Sequence, residues 1–177
     1  GGKQRDEFEA FRERNSSWLE DFSVFLALKR AHNLAPWWEW EPDCRSRDAP
    51  GTQRARTWLG GEARYNQFLQ WQFYKQWEDL RSYCTKKRIG LIGDLPIFVA
   101  HDSADVWANQ EMFLLDDVGM PQGVAGVPPD YFSATGQRWG SPLYRWEVMR
   151  EGGYGWWISR FNRSFRLFDA VRLDHFI

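Results

Sequence analysis

Apolar positions recur at helical spacing in three stretches of the chain and turn strand-like in two others. Trp18, Leu19, Phe22, Phe25, Leu26 and Ala31 return every three or four residues, which predicts a helix ending near 29–32. Ser17 with Glu20 three residues on has the form of a capping box and sets its start. His32 falls at the helix end, where the dipole favours it as a solvent-facing residue. A second helical pattern covers about 54–88 and breaks near Gly60-Gly61. Its apolar stripe is Tyr65, Phe68, Leu69, Phe73, Trp77, Leu80 and Cys84, the side expected to be buried. Lys86, Lys87 and Arg88 oppose the partial negative charge of its last turn. The third stripe is Trp157, Ile158, Phe161, Phe165 and Phe168, with Arg160, Arg163 and Arg166 off it and read as solvent-facing.

The run 91–99 is continuously apolar apart from Asp94, as in a strand of a parallel sheet buried on both faces. A carboxylate inside such a strand is costly unless paired or facing a wet cleft, so Asp94 is the first residue read as functional. In 170–175, Val171 and Leu173 share one strand face, and Arg172 and Asp174 share the other. Between these strands, Asp102-Ser103 can cap a short helix through Trp107, and 113–127 reads as a β-hairpin or an extended excursion that turns at 116–119. A short helix over 142–150 stops at Gly152-Gly153. Helix, strand, long excursion, helix, strand is βα logic, which predicts an α/β chain with about two parallel strands. Before the second helix, 36–42 is an aromatic-acidic connection expected to pack under helices, and 43–52 reads as a loop.

The stretch 126–144 fits neither period. Pro128, Pro129 and Pro142 remove backbone donors and Gly136 and Gly140 loosen φ, so no regular structure is expected there. It nonetheless carries Tyr131, Phe132, Trp139 and Tyr144. Long loops inside compact domains are commonly lids or binding loops. The other reading is that these rings pin an irregular crossing onto the core.

Composition narrows the function. A formal net charge of −1 with no basic run excludes an electrostatic case for nucleic acid or an anionic membrane as partner. No apolar run approaches the ~20 residues that span a bilayer, and no signal-peptide pattern opens the chain. Cys44 and Cys84 form no close-spaced motif and His32, His101 and His175 lack metal-ligand spacing, so neither cofactor nor structural metal is expected, and a reducing, cytoplasmic compartment is. Aromatics make up 18%, including 12 Trp; flat faces with one polar edge suit sugar rings. The 177 residues fall short of the ~250 of a complete barrel enzyme. Gly1-Gly2 without an initiating methionine and the apolar end at Ile177 read as an internal fragment.

Arg172 and Asp174 carry the chemistry. An arginine on the same strand face lowers the carboxylate's pKa and keeps it ionised, and an ionised carboxylate in a sugar-lined cleft can attack an anomeric carbon. A structural ion pair fits the same spacing.

Four blocks resemble, in order and separation, the 4-α-glucanotransferase (amylomaltase, disproportionating enzyme) family. They are Gly93-Asp94-Leu95-Pro96-Ile97-Phe98-Val99, His101-Asp102-Ser103-Ala104-Asp105-Val106-Trp107, the 126–144 loop, and Val171-Arg172-Leu173-Asp174-His175-Phe176. Similarity runs from about Trp18 onward and thins over 44–61. The resemblance implies that the whole chain, 1–177, belongs to one (β/α)8 barrel, with an excursion and lid loop over about 108–144 between two barrel strands. It implies a retaining transfer of α-1,4-glucan segments between maltooligosaccharide donor and acceptor, with Asp174 as nucleophile and Arg172 beside it. Substrate-contacting positions by the same resemblance are Asp94, Asp130, Tyr131, Phe132, Gln137, Trp139 and His175. The acid/base carboxyl belongs to a later strand, so the fragment alone is expected to be inactive. Ser141 and Ile177 depart from the family pattern, which commonly has asparagine and arginine there.

Overall fold

The computed structural model describes residues 2–175, so Gly1, Phe176 and the Ile177 departure lie outside the described residues. The chain forms two compact units that meet in sequence at Arg88 and Ile89.

The first unit is helical: α1 Gly2–Arg14, α2 Ser16–Ala31, α3 Pro50–Trp58 and α4 Gly60–Lys86. The α2 helix ends as its pattern predicts, but it begins without the capping box. Asn15 occupies the cap position, and its side chain makes no cap bond. The Asn15 amide instead donates to the Phe11 carbonyl at 2.8 Å, and its oxygen accepts from Trp18 Nε1 at 3.2 Å. Asn15 thus staples α1 to α2, and α1 itself had no clear signal in the pattern. Phe8, Phe11, Leu19 and Trp71 form the core beside it, flanked by Trp18 and Tyr74.

The face that α4 buries is not its apolar stripe. Ala63, Asn66, Gln67 and Trp71 are buried along with Cys84, whereas Tyr65, Phe68, Leu69, Phe73 and Leu80 are exposed. The buried polar residues are satisfied across the helix pair: Gln67 Nε2 donates to Ser23 Oγ at 3.0 Å, and Arg12 Nε donates to Gln67 Oε1 at 2.6 Å. Small Ala27 and Ser23 let α2 approach closely, so the interface selected size and hydrogen bonding over hydrophobicity.

Within the 36–42 connection, Trp37 and Trp40 are each 1% exposed, so these rings pack into the core as expected. His32 differs from its reading as a solvent-facing residue. Its ring stacks on Trp40 with centroids 4.9 Å apart, and its two nitrogens lie 2.7 Å from the Leu28 carbonyl and 2.6 Å from Glu41 Oε2. The α3 helix starts at Pro50, inside the expected loop.

The second unit is α/β. Strands β1 Ile92–Pro96 and β4 Ala170–Asp174 pair in parallel, with Asp94 opposite Arg172 and Pro96 opposite Asp174. Between them run α5 Ala104–Ala108, an antiparallel pair β2 Val124–Val127 and β3 Gln137–Pro142, then α6 Trp146–Glu151 and α7 Gly155–Leu167. Ser103 caps α5 as predicted, accepting from Val106 N at 3.3 Å. Against expectation, β1 is not buried on both faces. Gly93 and Leu95 are buried, and Ile92, Asp94 and Pro96 are exposed. Regular structure also enters the 126–144 loop, because β3 pairs with β2 despite Gly140 and Pro142. The irregular part shrinks to 128–136, which Gly136 closes at φ +72, where a Cβ would lie 2.5 Å from the Val127 carbonyl oxygen.

The α7 helix packs against both parallel strands. Trp157 is buried, but Ile158 and Phe165 of its stripe are exposed. Phe168, just past its end, lies against Gly93, where an added Cβ would fall 2.2 Å from the ring. In the full-length protein, Gly93→Ala is therefore expected to cost about 1–3 kcal/mol by overpacking. Phe168→Ala should relieve that clash, so denaturant melts of the double variant should show less than the summed loss; strictly additive losses would contradict the contact.

Candidate functional site

Residues of one strand face converge at the carboxyl ends of β1 and β4. The parallel register sets Asp94 directly across from Arg172, and the guanidinium grips the carboxylate with two prongs: Nε to Oδ1 at 2.9 Å and Nη2 to Oδ2 at 2.7 Å. Such fork-on-fork pairs fix both partners in a plane. The Asp94 carboxyl is held below its ordinary value, chiefly by that hydrogen bond, and Arg172 is raised by the same partner with a smaller contribution from Asp174.

Asp174 sits one residue pair further along. Its Oδ1 lies 3.3 Å from Arg172 Nη2, and its Oδ2 lies 2.9 Å from His175 Nδ1. The arginine's two-pronged contact therefore goes to Asp94 and not, as the same-strand spacing suggests, to Asp174. Cross-strand pairing was the missing information: residues two apart on one strand are further apart than residues directly opposite.

The loop reaches this cluster through Trp139, whose ring meets His175 edge-on at 4.6 Å. Trp139 Nε1 donates to Gln137 Oε1 at 3.0 Å, so Gln137 orients the indole and retains its own amide donor. Asp130 Oδ1 accepts from the Phe132 and Ser133 amides at 2.9 and 2.7 Å, shaping the loop tip. Tyr131 and Phe132 stand on that tip 97% and 90% exposed, ring against ring at 5.7 Å. Trp139, His175, Asp174, Arg172 and Asp94 thus form a connected set. Tyr131 and Phe132 have no ring contact beyond each other among the described residues. These aromatics do not pin the crossing to the core; Tyr144 does, 3% exposed with its hydroxyl donating to the Ile97 carbonyl at 2.6 Å.

His101, in the second block, lies elsewhere: its Nε2 donates to the Gly119 carbonyl at 2.7 Å and secures the 116–119 turn. Among the described residues, one close-set group could offer metal ligands, His32, Glu41 and Cys44, with ligating atoms within 4.8 Å of one another. Two of the three are engaged with each other, at 2.6 Å.

Arg160 does not face solvent, contrary to its position off the apolar stripe. It is half-buried, with Nη2 donating to the Pro96 carbonyl at 2.6 Å and Nη1 to that of Ile97 at 3.3 Å. Its place in the helical period, three after Trp157 and four after Trp156, was the available signal, since neighbours at that spacing share a face.

A parallel strand pair with Asp94, Arg172 and Asp174 on one face, met at its carboxyl end by Trp139 of the long loop, has the layout of an α/β enzyme site. The family model for 4-alpha-glucanotransferase matches residues 1–177, and the chain belongs to that family. Similar relatives are 4-alpha-glucanotransferases of Thermus thermophilus, 49% identical over 98% of this chain and 35% of the relative, and of Synechocystis, 47% identical over 96% and 34%. In structure, the chain is similar to amylomaltase from Streptococcus agalactiae in complex with acarbose, with a TM-score of 0.92 and 35% identity, covering 99% of this chain and 36% of that one. The chain thus spans about a third of the length of these relatives.

Because the folded-state pKa of Asp94 is depressed, its pair with Arg172 contributes stability above the unfolded aspartate value and loses it as pH falls through the lower folded one. Carbonyl NMR titration should place Asp94 below the ordinary 3.8. In Arg172→Lys the midpoint should move back toward that value, because an ammonium cannot match the fork. An unmoved midpoint would contradict the two-pronged pairing.

Proposed function

We propose that the chain is part of a 4-α-glucanotransferase acting on α-1,4-glucans such as maltooligosaccharides. In this reading 1–177 belong to a single (β/α)8 catalytic barrel, β1 and β4 are two of its strands, and about 108–144 form an excursion and lid. The observation that carries it is Asp174 at the carboxyl end of a parallel strand, flanked by Arg172 and His175, with Trp139 beside them. Family membership supplies the reaction class.

Asp174 is the nucleophile. Its carboxylate attacks the anomeric carbon of the donor glucan, the glycosidic bond breaks, and a covalent glycosyl-enzyme forms with inverted configuration. The 4-hydroxyl of a second glucan then attacks the same carbon, releases Asp174 and restores the original configuration. A second carboxyl ~5 Å from the nucleophile must protonate the leaving oxygen and deprotonate the acceptor; by the family resemblance it belongs to a later strand. Arg172 holds a Asp174 oxygen on one side and Asp94 on the other, which fixes the nucleophile's direction and leaves Asp94 to line the donor subsite. His175 orients the second oxygen.

The lid favours a sugar over water as acceptor. Trp139 offers a flat face near Asp174, steadied by Gln137 and His175. Tyr131 and Phe132 at the exposed tip can close over a bound chain, and Asp130 holds that tip in shape. Excluding water and positioning the acceptor hydroxyl both raise transfer over hydrolysis. No cofactor or metal takes part in these steps. A cytoplasmic location is part of the proposal, as the cysteine usage of the sequence led to expect. Among the described residues, no helix is long and apolar enough to cross a membrane.

The full-length protein should convert maltotriose into glucose and longer oligomers rather than mainly hydrolysis products. Asp174→Asn should keep less than about a tenth of that activity, a loss beyond ~1.4 kcal/mol of barrier, with an unchanged melting temperature. More residual activity would refute the nucleophile assignment. Trp139→Ala should raise the ratio of hydrolysis to transfer, because capture of the intermediate needs a positioned sugar and attack by water does not. An unchanged ratio with a lowered melting point would make Trp139 a brace for the loop and no acceptor platform.

A further inference from the structure

The carboxyl end of β1 carries an interaction that the proposed mechanism does not use. Pro96 stands opposite Asp174 in the register, and proline has no N–H to give the ladder. The bond that secures this end of the pair comes from the next residue: Ile97 N–H donates to the backbone carbonyl of Asp174 at 3.2 Å.

That N–H and the Pro96 carbonyl belong to one peptide unit, which is planar and turns as a body. The Pro96 carbonyl accepts from Arg160 Nη2 at 2.6 Å. The following carbonyl, that of Ile97, accepts from Arg160 Nη1 at 3.3 Å and from Tyr144 Oη at 2.6 Å. Fixing both oxygens fixes the direction in which the Ile97 N–H points. Polarising the Pro96 carbonyl also strengthens the bond its own N–H side makes.

The clamp is itself held. The Arg160 guanidinium lies 5.3 Å above the Trp156 ring and 4.9 Å above the buried Trp157 ring. Among the described residues, Trp157 Nε1 is the buried side-chain polar atom without a partner. Such an orphan needs an offsetting reason, and stacking beneath the guanidinium supplies it. Asp105 contributes the nearby opposing charge to Arg160. Burial pushes the Tyr144 hydroxyl up, so it stays a donor at working pH.

Resting on the nucleophile assignment above, we propose that Arg160 and Tyr144 are positioning residues for Asp174, acting through the Pro96–Ile97 peptide. Their side-chain hydrogen bonds go to the backbone carbonyls of Pro96 and Ile97. They set where the backbone of Asp174 sits, and hence the reach of its carboxylate to the anomeric carbon.

The test uses the full-length protein with Arg160→Met, Arg160→Lys and Tyr144→Phe, each normalised to active sites titrated with a slow glycosyl donor. Arg160→Met should lower kcat per titrated site about tenfold, equivalent to ~1.4 kcal/mol, while KM for maltooligosaccharide stays within about twofold of wild type. Arg160→Lys should recover part of that loss, since an ammonium still donates to the Pro96 carbonyl but gives up the fork and the stack. Tyr144→Phe should show a smaller drop of the same kind, and hydrogen exchange at the Ile97 amide should quicken in all three. A lowered melting point with kcat per titrated site and Ile97 exchange both unchanged would reduce these residues to packing and overturn the proposal. Should Arg160→Met not fold, Tyr144→Phe with an unchanged kcat overturns it equally. A wild-type protein unable to transfer glucan would overturn the reading of the site itself, and that result is seen before any variant is made.

Discussion

The parallel pairing of β1 with β4 in one register is the constraint on which the rest of the second unit depends. It sets Asp94 against Arg172, with a guanidinium fork of 2.9 and 2.7 Å, and Asp174 against Pro96. A slip of one residue would reverse the faces of a strand and send Arg172 and Asp174 to the other side. Gly93 and Phe168 oppose such a slip, since only a residue without a side chain fits under that ring. The charged site and the packing beneath it are thus specified by the same register, on opposite faces.

Much of this was legible in the chain because strands alternate. Alternation puts Arg172 and Asp174 on one face, and there the two side chains meet at 3.3 Å. Ser103 as a cap, the turn at 116–119 and the burial of Trp37 and Trp40 were also readable, since each depends on local chemistry. Asn15 was not, because its oxygen binds an indole and its amide reaches back to Phe11, leaving the helix it caps without a cap bond. The partner of Arg172 could not be read from spacing either. Which carboxylate receives the fork depends on a strand 78 residues away.

Helix faces misled for a different reason. A hydrophobic period locates stripes but does not say which of two adjoining stripes is buried. On α4 the buried one contains Ala63, Asn66 and Gln67, chosen by close approach to Ser23 and by hydrogen bonds that satisfy both amides. The richer aromatic stripe faces outward. On α7 the same limitation hid Arg160, whose polarity marked it for solvent although its guanidinium fits between two indoles and the end of β1. In the loop, Pro128, Pro129 and Gly136 did exclude regular structure, but Gly140 and Pro142 did not prevent β3 from pairing as an edge strand, where proline is tolerated.

The proposed role of Asp174 is to form the covalent bond to sugar, held in place by β1 and its clamp. It is tested most directly by trapping the intermediate in the full-length protein with a fluorinated glycosyl donor that forms the glycosyl-enzyme quickly and releases it slowly. Proteolysis and mass spectrometry would then locate the label. The account predicts a single glycosylated peptide with the sugar on Asp174. A label on Asp94 or on any other carboxylate, or turnover of the donor with no covalent adduct at all, would contradict it.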